Sequence, residues 1–168
     1  MIAYIKKLIF LITILLLCGF FWDKIDWNSV NNTIDRLYPS VASITTDSLK
    51  TQIQSRKDLT IIDVRSSEEY KISHLPRAIN LTDEKKLKRP KNTTIIVYCS
   101  VGIRSAHFSK KLEEEGYTRV FNLRGSIFEW ANKGYPLKRG EQNVTVVHPY
   151  NKKWGQLLDA SFHAYEAN

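Results

Sequence analysis

The stretch "TTIIVYCSVGIRSAHFSKKLEEEG", residues 93–116, contains the patterns of a buried strand, a tight loop and a helix in direct succession. Its start, "TTIIVYC", is a run of β-branched and aromatic residues that predicts a strand covered on both faces. Its end, "SAHFSKKLEEEG", predicts an amphipathic helix with Phe108 and Leu112 on one face and Gly116 as its C-terminal stop. Cys99 is therefore predicted to lie where the strand ends and the loop begins.

Strand and helix patterns alternate along the chain on both sides of this stretch. The apolar run "LTIIDV" upstream predicts a second buried strand, and "TRVFNL" downstream predicts another. Short helical patterns accompany these strands: "TTDSLKTQI", "SSEEYKI" and "SIFEWANKG". The predicted fold class is α/β, with a parallel sheet flanked by helices on both faces. In such sheets the functional crevice lies beyond the carboxyl ends of the strands, which is the predicted position of Cys99.

The 168 residues suit one ordinary domain with a real core, and two domains would be crowded. We assign residues 44–140 to this domain, because the strand and helix patterns fall within them. Residues 24–43 are assigned to a linker with one short helix. Residues 141–168 are assigned to a tail that packs either on the domain or on a protein partner.

The first 23 residues have the composition of a membrane segment, with fifteen uncharged residues from Leu8 to Trp22. A helix of that length spans about 22 Å and needs flanking residues to cross a hydrocarbon core of about 30 Å. Lys6 and Lys7 can snorkel, so that residues 2–22 serve as the membrane contact. The small residues that signal peptidase requires are absent, which favours an uncleaved transmembrane signal anchor over a cleaved or lipidated segment. The two lysines then place the domain on the periplasmic or extracytoplasmic side.

The charge balance and the cysteines limit the function classes. Lys and Arg number 25 against 17 Asp and Glu, which suits anionic small molecules, acidic partners or an anionic membrane surface. The lysines are scattered and not interleaved with aromatic residues, so nucleic-acid binding is not predicted. Cys18 lies in the apolar segment and Cys99 in the polar body, so we predict a free Cys99 thiol, no paired-cysteine metal site and no cofactor.

The loop after Cys99 has two physical interpretations. In the first, Cys99 is a nucleophile whose thiolate is stabilised by the amides and dipole of the following helix N-terminus. Gly102 permits a turn in which several N–H groups point inward, and Arg104 either adds positive charge or holds the loop carbonyls. In the second, Cys99 is only a small buried residue at the end of a strand. The order of strand, cysteine, glycine, arginine and helix favours the first interpretation.

Three blocks of sequence, in order, resemble the rhodanese family of sulfurtransferases over about residues 44–137. These blocks are "IIDVRSSEEYKISHLPRAINL", "YCSVGIRS" and "LRGSIFEWANKGYPL". The family fold is a small parallel α/β sheet flanked by helices, so the resemblance implies a rhodanese-like sheet here. The sequence departs from the family at turns, with Ser73 and Arg77 where glycine is common and Gly125-Ser126 in place of a double glycine.

The resemblance also implies roles for particular residues. Cys99 is the catalytic residue and carries a persulfide, which is cradled by the loop Ser100, Val101, Gly102, Ile103, Arg104 and Ser105. Four residues of the upstream block are implied to support the site structurally: Asp63, Arg65, Glu68 and His74. The predicted function is a sulfurtransferase that moves sulfane sulfur from a small anionic donor such as thiosulfate, through Cys99, to a thiol or other thiophilic acceptor.

Three alternatives remain open at this point. Four residues separate Cys99 from Arg104, the shorter loop associated with sulfur transfer, whereas related phosphatases have one more and accept phosphate or arsenate. A non-catalytic or regulatory binding module at the membrane would use the basic loop at residues 85–91 to dock a partner. A thiol-redox enzyme lacks a resolving cysteine in the domain. The uncharged side chains of Ser100, Val101 and Ile103 argue against efficient use of thiosulfate.

Overall fold

The computed structural model of the protein describes residues 25–56 and 58–166. Its helices are α1 (Trp27–Leu37), α2 (Thr46–Ser55), α3 (Ser67–Ile72), α4 (Ile103–Glu114) and α5 (Ser126–Asn132). The strands of its main sheet are β1 (Ser43–Ile44), β2 (Leu59–Asp63), β3 (Ala78–Asn80), β4 (Thr94–Tyr98) and β5 (Val120–Leu123). A hairpin of β6 (Leu137–Arg139) and β7 (Gln142–Val144) follows, and short 3-10 helices occupy Glu84–Lys86, Trp154–Leu157 and Ala160–Phe162.

The main sheet has the strand order β1-β5-β4-β2-β3, and all of its pairs are parallel. Strand β4 lies at its centre, and every residue of the strand is buried. Ile96 and Tyr98 face the larger of two hydrophobic cores, whereas Ile95 and Val97 face the smaller one together with Phe108 of α4. The predicted α/β class, the parallel sheet and the flanking helices are therefore confirmed.

Helix α1 occupies the segment that the sequence assigns to a linker, residues 24–43. Asp26 caps the helix by accepting a hydrogen bond from the Ser29 N–H at 2.7 Å. Val30 and Ile34 are four residues apart, lie on one face of the helix and are buried in the larger core. The predicted short helix is present, but it is part of the domain core and does not act as a free connector.

The C-terminal tail packs on the domain itself, which is one of the two alternatives left open by the sequence. Val147, Leu157 and Leu158 are buried in the larger core. The Asn132 side chain of α5 donates to the Leu157 carbonyl at 2.8 Å and accepts from the Asp159 N–H at 2.9 Å. The tail therefore extends the domain beyond residue 140.

The predicted membrane segment, residues 1–23, lies outside the described residues. Within residues 25–56 and 58–166, none of the helices combines the length and the apolar character that crossing a membrane requires.

Candidate active site

Strand β4 delivers Cys99 into a tight loop that leads directly into α4. The Cys99 thiol is free and the residue is 1% exposed. Gly102 precedes the helix at φ +113°, a conformation that side chains rarely adopt, and its N–H donates to Cys99 Sγ at 3.2 Å. A Cβ atom on Gly102 would lie 3.0 Å from Ile34 Cδ1 of α1. The backbone conformation therefore favours glycine, and a side chain at this position would also require Ile34 to shift.

A polar cluster behind the loop orients the groups that face the sulfur. The Ser105 hydroxyl lies 3.6 Å from Cys99 Sγ and 2.6 Å from Asn122 Oδ1, so its single proton can serve either acceptor. The Asn122 side chain also donates to the Gly102 carbonyl at 3.1 Å. Asn122 belongs to β5, the neighbour of β4, and the sequence gives no sign that it reaches the loop. It fixes the turn from the adjacent strand.

Arg104 is held beside the loop by a buried carboxylate. Its guanidinium makes two hydrogen bonds of 2.9 Å to the two oxygens of Glu69, and it also donates to Ser100 Oγ at 2.9 Å. Burial alone would raise the pKa of Glu69, but the hydrogen bonds and charge of Arg104 lower it to about 2. The same pairing raises the pKa of Arg104, so both groups stay ionised. The two hydrogen bonds hold the guanidinium in place.

The carboxylate that performs this role is Glu69 and not the predicted Glu68. Glu68 is exposed, and its carboxylate accepts a hydrogen bond from the Ser67 hydroxyl at 2.8 Å. Glu69 lies one residue further along α3, where it completes a capping box with Ser66 and faces inward. Because successive helix residues are about 100° apart around the axis, two adjacent glutamates cannot both face the loop. The structure therefore places Glu69 at the loop, one position beyond the predicted Glu68.

The surroundings of Cys99 stabilise its thiolate. Burial raises the pKa of the thiol, because a charge in a low-dielectric interior is unfavourable. The charge of Arg104, the Ser105 hydroxyl and the N–H groups of Ser105 and Gly102 act in the opposite direction and prevail, so the pKa lies below its ordinary value. A buried structural cysteine would be expected to show the reverse shift. The electrostatics therefore favour the first interpretation of the loop.

Asp63 and Arg65 form a buried ion pair beneath the site. The Arg65 guanidinium donates to Asp63 Oδ2 at 2.7 Å and to the Ser73 carbonyl at 2.6 Å, and both charged side chains are fully buried. Burial lowers the pKa of Arg65, but the charge of Asp63 outweighs it, and the pKa is raised. The pair ties the end of β2 to the turn at Ser73. Neither side chain is hydrogen-bonded to Cys99.

His74 lies in the same turn and also has no contact with the sulfur. Its Nδ1 is 3.0 Å from the Leu75 carbonyl, and its ring stacks on Tyr70 with centroids 4.2 Å apart. The N–H of Leu75 donates to the buried Tyr98 hydroxyl at 3.0 Å, next to Cys99 in sequence. This geometry matches a supporting role for the turn rather than a role in proton transfer.

Ser126 occupies one of the turn positions where the sequence departs from the family. It adopts a left-handed conformation with φ +49°, which is unusual for a residue other than glycine. Its hydroxyl accepts from the Cys99 N–H at 3.2 Å and donates to the Leu123 carbonyl at 3.0 Å. Arg77, another departure, is also left-handed at φ +65°. At Ser126 the substituted side chain contributes a hydrogen bond that glycine could not make.

The tail forms one wall of the site, although it lies outside the predicted domain limits of 44–140. A cavity of about 180 Å³ above Cys99 is lined by Tyr150 and Trp154 of the tail. The Arg104 guanidinium carbon lies 4.7 Å from the centre of the Tyr150 ring. The loop residues Val101 and Ile103 also line the cavity and contribute apolar side chains. No local sequence pattern indicates either aromatic contact.

The same region offers no set of metal ligands. Among residues 25–56 and 58–166, no group of three or more His, Cys, Asp or Glu side chains is arranged to hold a metal ion.

A parallel α/β sheet that presents a free thiol in a short amide-lined loop is typical of rhodanese-like domains, and sequence comparison agrees. The rhodanese-like domain family matches residues 45–133, more than half of the chain. The chain therefore belongs to the rhodanese family, as the three sequence blocks predict.

Named relatives include sulfurtransferases. A sulfurtransferase of Allochromatium vinosum is 32% identical over 101 residues, which cover 58% of this chain and 94% of the relative. The thiosulfate sulfurtransferase GlpE of Coxiella burnetii is 30% identical over 83 residues, which cover 47% of this chain and 78% of the relative. The crystal structure of a rhodanese-related protein from Thermoplasma volcanium is 26% identical with a TM-score of 0.51, covering 58% of this chain and 98% of that one.

Replacing Glu69 with glutamine tests which glutamate supports the site. We expect Glu69→Gln to lower the free energy of unfolding by about 1–2 kcal/mol at neutral pH, because charge-assisted hydrogen bonds to Arg104 are lost. The matched variant Glu68→Gln should change it by less than about 0.5 kcal/mol, because Glu68 is exposed. Urea denaturation measures both.

The pH dependence of the Glu69 effect has a definite sign. Because folding lowers the pKa of Glu69 from 4.5 to about 2, its stabilisation is present above 4.5 and is lost as the pH falls through about 2. The difference between wild type and Glu69→Gln should shrink over that interval. Equal stability of the two proteins at neutral pH would contradict the assignment.

Replacing Gly102 with alanine tests whether the loop turn is needed for the thiolate. Gly102→Ala should destabilise the fold by about 1–3 kcal/mol, because its left-handed backbone is strained by a Cβ atom. Gly116→Ala is the control, since Gly116 is also left-handed, at φ +88°, but a Cβ there meets nothing within 4 Å. Both variants should lose stability, but only Gly102→Ala should raise the thiol pKa measured by alkylation. The same pKa in both variants would contradict the role of the Gly102 amide.

Proposed function

We propose that the protein is a sulfurtransferase that carries sulfane sulfur as a persulfide on Cys99. The observation that carries this proposal is the buried thiol with a lowered pKa, facing the Gly102 amide and the fixed charge of Arg104. Membership of the rhodanese family and the named sulfurtransferases among its relatives support the same chemistry.

In the first half-reaction, the Cys99 thiolate attacks the outer sulfur of the donor. A bond forms between Sγ and that sulfur, and the bond to the rest of the donor breaks. The leaving group departs with the electron pair, which for thiosulfate yields sulfite. Arg104 and the loop amides favour the anionic form of the sulfur before and after this step. The lowered pKa of the Cys99 thiol increases the fraction present as the attacking thiolate, which reduces the need for an external general base.

Thiosulfate is the donor with which we propose to begin, although the loop does not present a free cation to it. The charge of Arg104 is shared with Glu69, and Ser100, Val101 and Ile103 add none. We therefore expect thiosulfate to be accepted with a high KM. A donor with an apolar part would gain from the apolar cavity walls.

Steady-state kinetics with thiosulfate as donor and cyanide as acceptor test the proposal. A covalent sulfur carrier predicts a ping-pong pattern, with parallel lines in double-reciprocal plots at several acceptor concentrations. The assay is repeated with polysulfide as donor, in case thiosulfate binds too weakly. Absence of transfer from both donors would contradict the proposal and favour the non-catalytic binding module. Release of phosphate from an aryl phosphate would indicate phosphatase chemistry instead.

We also propose that residues 2–22 attach the domain to a membrane, with the domain on the periplasmic or extracytoplasmic side. The support is the uncharged run from Leu8 to Trp22 behind Lys6 and Lys7. A reporter fused after Asn168 should be active only outside the cytoplasm and should sediment with membranes. Activity only in the cytoplasm would reverse the orientation, and recovery of the full chain in the supernatant would contradict the anchor.

A further inference from the structure

The cavity above Cys99 adjoins a second and larger one. The second cavity has a volume of about 530 Å³, and Ile103 and Trp154 line both cavities. The second cavity is also lined by Val30 and Thr33 of α1 and by Lys153 of the tail. Because the two cavities share Ile103 and Trp154, we treat them as one binding region and call it the tail cleft. The size of its larger part lies within the usual range of small-molecule sites.

The walls of the tail cleft come mainly from segments outside the matched family region. The family match covers residues 45–133, whereas α1 ends at Leu37 and the tail residues Tyr150 and Trp154 follow the match. Only the loop side, with Ile103, belongs to the matched region. The shape of the cleft therefore depends on segments that lie outside the matched family region.

The aromatic wall is held in place by the tail's own hydrogen bonds. The backbone N–H of Trp154 donates to Asn151 Oδ1 at 3.0 Å, and the backbone N–H of Gly155 donates to the Asn151 backbone carbonyl at 2.8 Å. Tyr150 is left-handed at φ +64°, and its N–H donates to His148 Nδ1 at 3.0 Å. A binding wall that is ordered before the ligand arrives loses less entropy on binding.

The two cations of the tail cleft line different cavities. Arg104 lines the cavity above Cys99 and is already paired with Glu69. Lys153 lines the larger cavity and makes no ion pair within the described part of the chain. The residues shared by both cavities, Ile103 and Trp154, are apolar or aromatic, and Val30 adds to the apolar lining of the larger one. This pattern is complementary to an extended ligand with an apolar body and one anionic end.

We infer that the tail cleft binds the sulfur acceptor as an extended thiol with an apolar body and a carboxylate end, and that Trp154 and Lys153 determine this specificity. The inference rests on the proposed function, since it names the acceptor class of the same site. The thiol lies toward Cys99, the apolar body lies against Trp154, and the carboxylate pairs with Lys153.

The transfer step balances without another reagent. The acceptor thiolate forms a bond to the outer sulfur of the Cys99 persulfide, and the bond between that sulfur and Sγ breaks. The electron pair of the broken bond remains on Sγ, which restores the Cys99 thiolate. The acceptor leaves as a persulfide, so sulfane sulfur moves from one thiol to another with no net oxidation.

A set of three thiols tests the inference on the full chain. Mercaptohexanoate and mercaptohexanol share the same body and differ in the charged end, and mercaptopropionate keeps the charge on a shorter body. We expect mercaptohexanoate to exceed each of the other two by about five- to tenfold in kcat/KM, mainly through a lower KM. Equal values for the three thiols would overturn the inference.

Variants assign the effect to the two residues. Lys153→Gln should remove the preference for mercaptohexanoate over mercaptohexanol, whereas the matched variant Lys152→Gln, one residue away and exposed, should retain it. Trp154→Ala should raise the KM for mercaptohexanoate more than that for mercaptopropionate. Trp154→Phe preserves most of the packing, so its KM for mercaptohexanoate should lie between those of the wild type and Trp154→Ala. Tyr165→Ala is the control for removing an exposed aromatic residue of the tail.

The outcome separates the inference from the proposed function. If sulfur loads onto Cys99 from the donor but the three thiols react alike, the acceptor assignment fails and the sulfurtransferase proposal stands. If no sulfur loads onto Cys99 from any donor, the proposed function fails and the acceptor assignment fails with it. A charge preference that survives in Lys153→Gln would also overturn the role of that residue.

Discussion

Replacing Cys99 with serine is expected to abolish sulfur transfer from every donor and to every acceptor. Sulfur cannot be carried on a hydroxyl, because an oxygen–sulfur bond does not form in place of the persulfide under these conditions and the serine is not ionised at neutral pH. The remaining parts of the cradle have no atom to accept the transferred sulfur. The transfer rate of the variant should equal the rate without enzyme. This loss of activity is the largest effect expected of any single change in this chain.

The fold should tolerate this change. Serine is close to cysteine in size, and the buried hydroxyl can accept from the Gly102 N–H that now faces Sγ. We expect the free energy of unfolding to change by no more than about 1–2 kcal/mol. Denaturation and activity measured on one preparation therefore separate chemistry from folding. Residual transfer above the blank in a folded Cys99→Ser protein would rule out Cys99 as the sulfur carrier.

Replacing Arg104 with glutamine is expected to have the second-largest effect. The charge of Arg104 is the principal influence that lowers the pKa of the Cys99 thiol against the opposing effect of burial. Without that charge the pKa should rise, and at neutral pH the thiolate fraction should fall. Each unit by which the pKa rises reduces that fraction about tenfold once the pKa exceeds the pH, and the loading rate should fall with it.

The measurement is the rate of alkylation of Cys99 as a function of pH. The midpoint should move to higher pH in Arg104→Gln. It should move less in Arg104→Lys, because lysine keeps the positive charge but cannot make the paired hydrogen bonds to both oxygens of Glu69. Because Glu69 is left buried without its partner, Arg104→Gln should also be less stable than wild type. An unchanged midpoint in a folded Arg104→Gln protein would contradict the role of Arg104 in thiolate stabilisation.

The parts of the fold that the sequence predicts are those with strong local patterns. Strand β4 and helix α4 can be predicted because one stretch of sequence contains both patterns. A run of β-branched residues is followed by helical periodicity that ends at a glycine. Helix α1 is harder to place, since "WNSVNNTIDRL" is rich in asparagine and only Val30 and Ile34 show its buried face. Its position in the core depends on contacts with distant segments, which a local pattern does not contain.

The residues of the site also divide into those that a local sequence pattern predicts and those that it does not. Cys99, Gly102 and Arg104 belong to one continuous loop, so their proximity follows from the sequence alone. The choice between Glu68 and Glu69 depends on the phase of α3, and the Ser66–Glu69 capping box is the signal that could have decided it.

The residues missed altogether reach the loop from other elements. Asn122 comes from the adjacent strand, so its role depends on the strand order of the sheet. Tyr150 and Trp154 come from the tail, about fifty residues along the chain from Cys99. Such contacts arise from tertiary packing, and neither periodicity nor a motif reveals them.

The central claim is that Cys99 carries sulfur as a persulfide, and the intact mass of the protein tests it most directly. The wild-type chain is incubated with thiosulfate or polysulfide, freed of small molecules and weighed, and then weighed again after addition of a thiol acceptor. We expect a gain of one sulfur atom, located at Cys99 by peptide mapping, that disappears with the acceptor and never forms in Cys99→Ser. A protein whose mass does not change with either donor, or whose added sulfur persists in Cys99→Ser, would contradict the account.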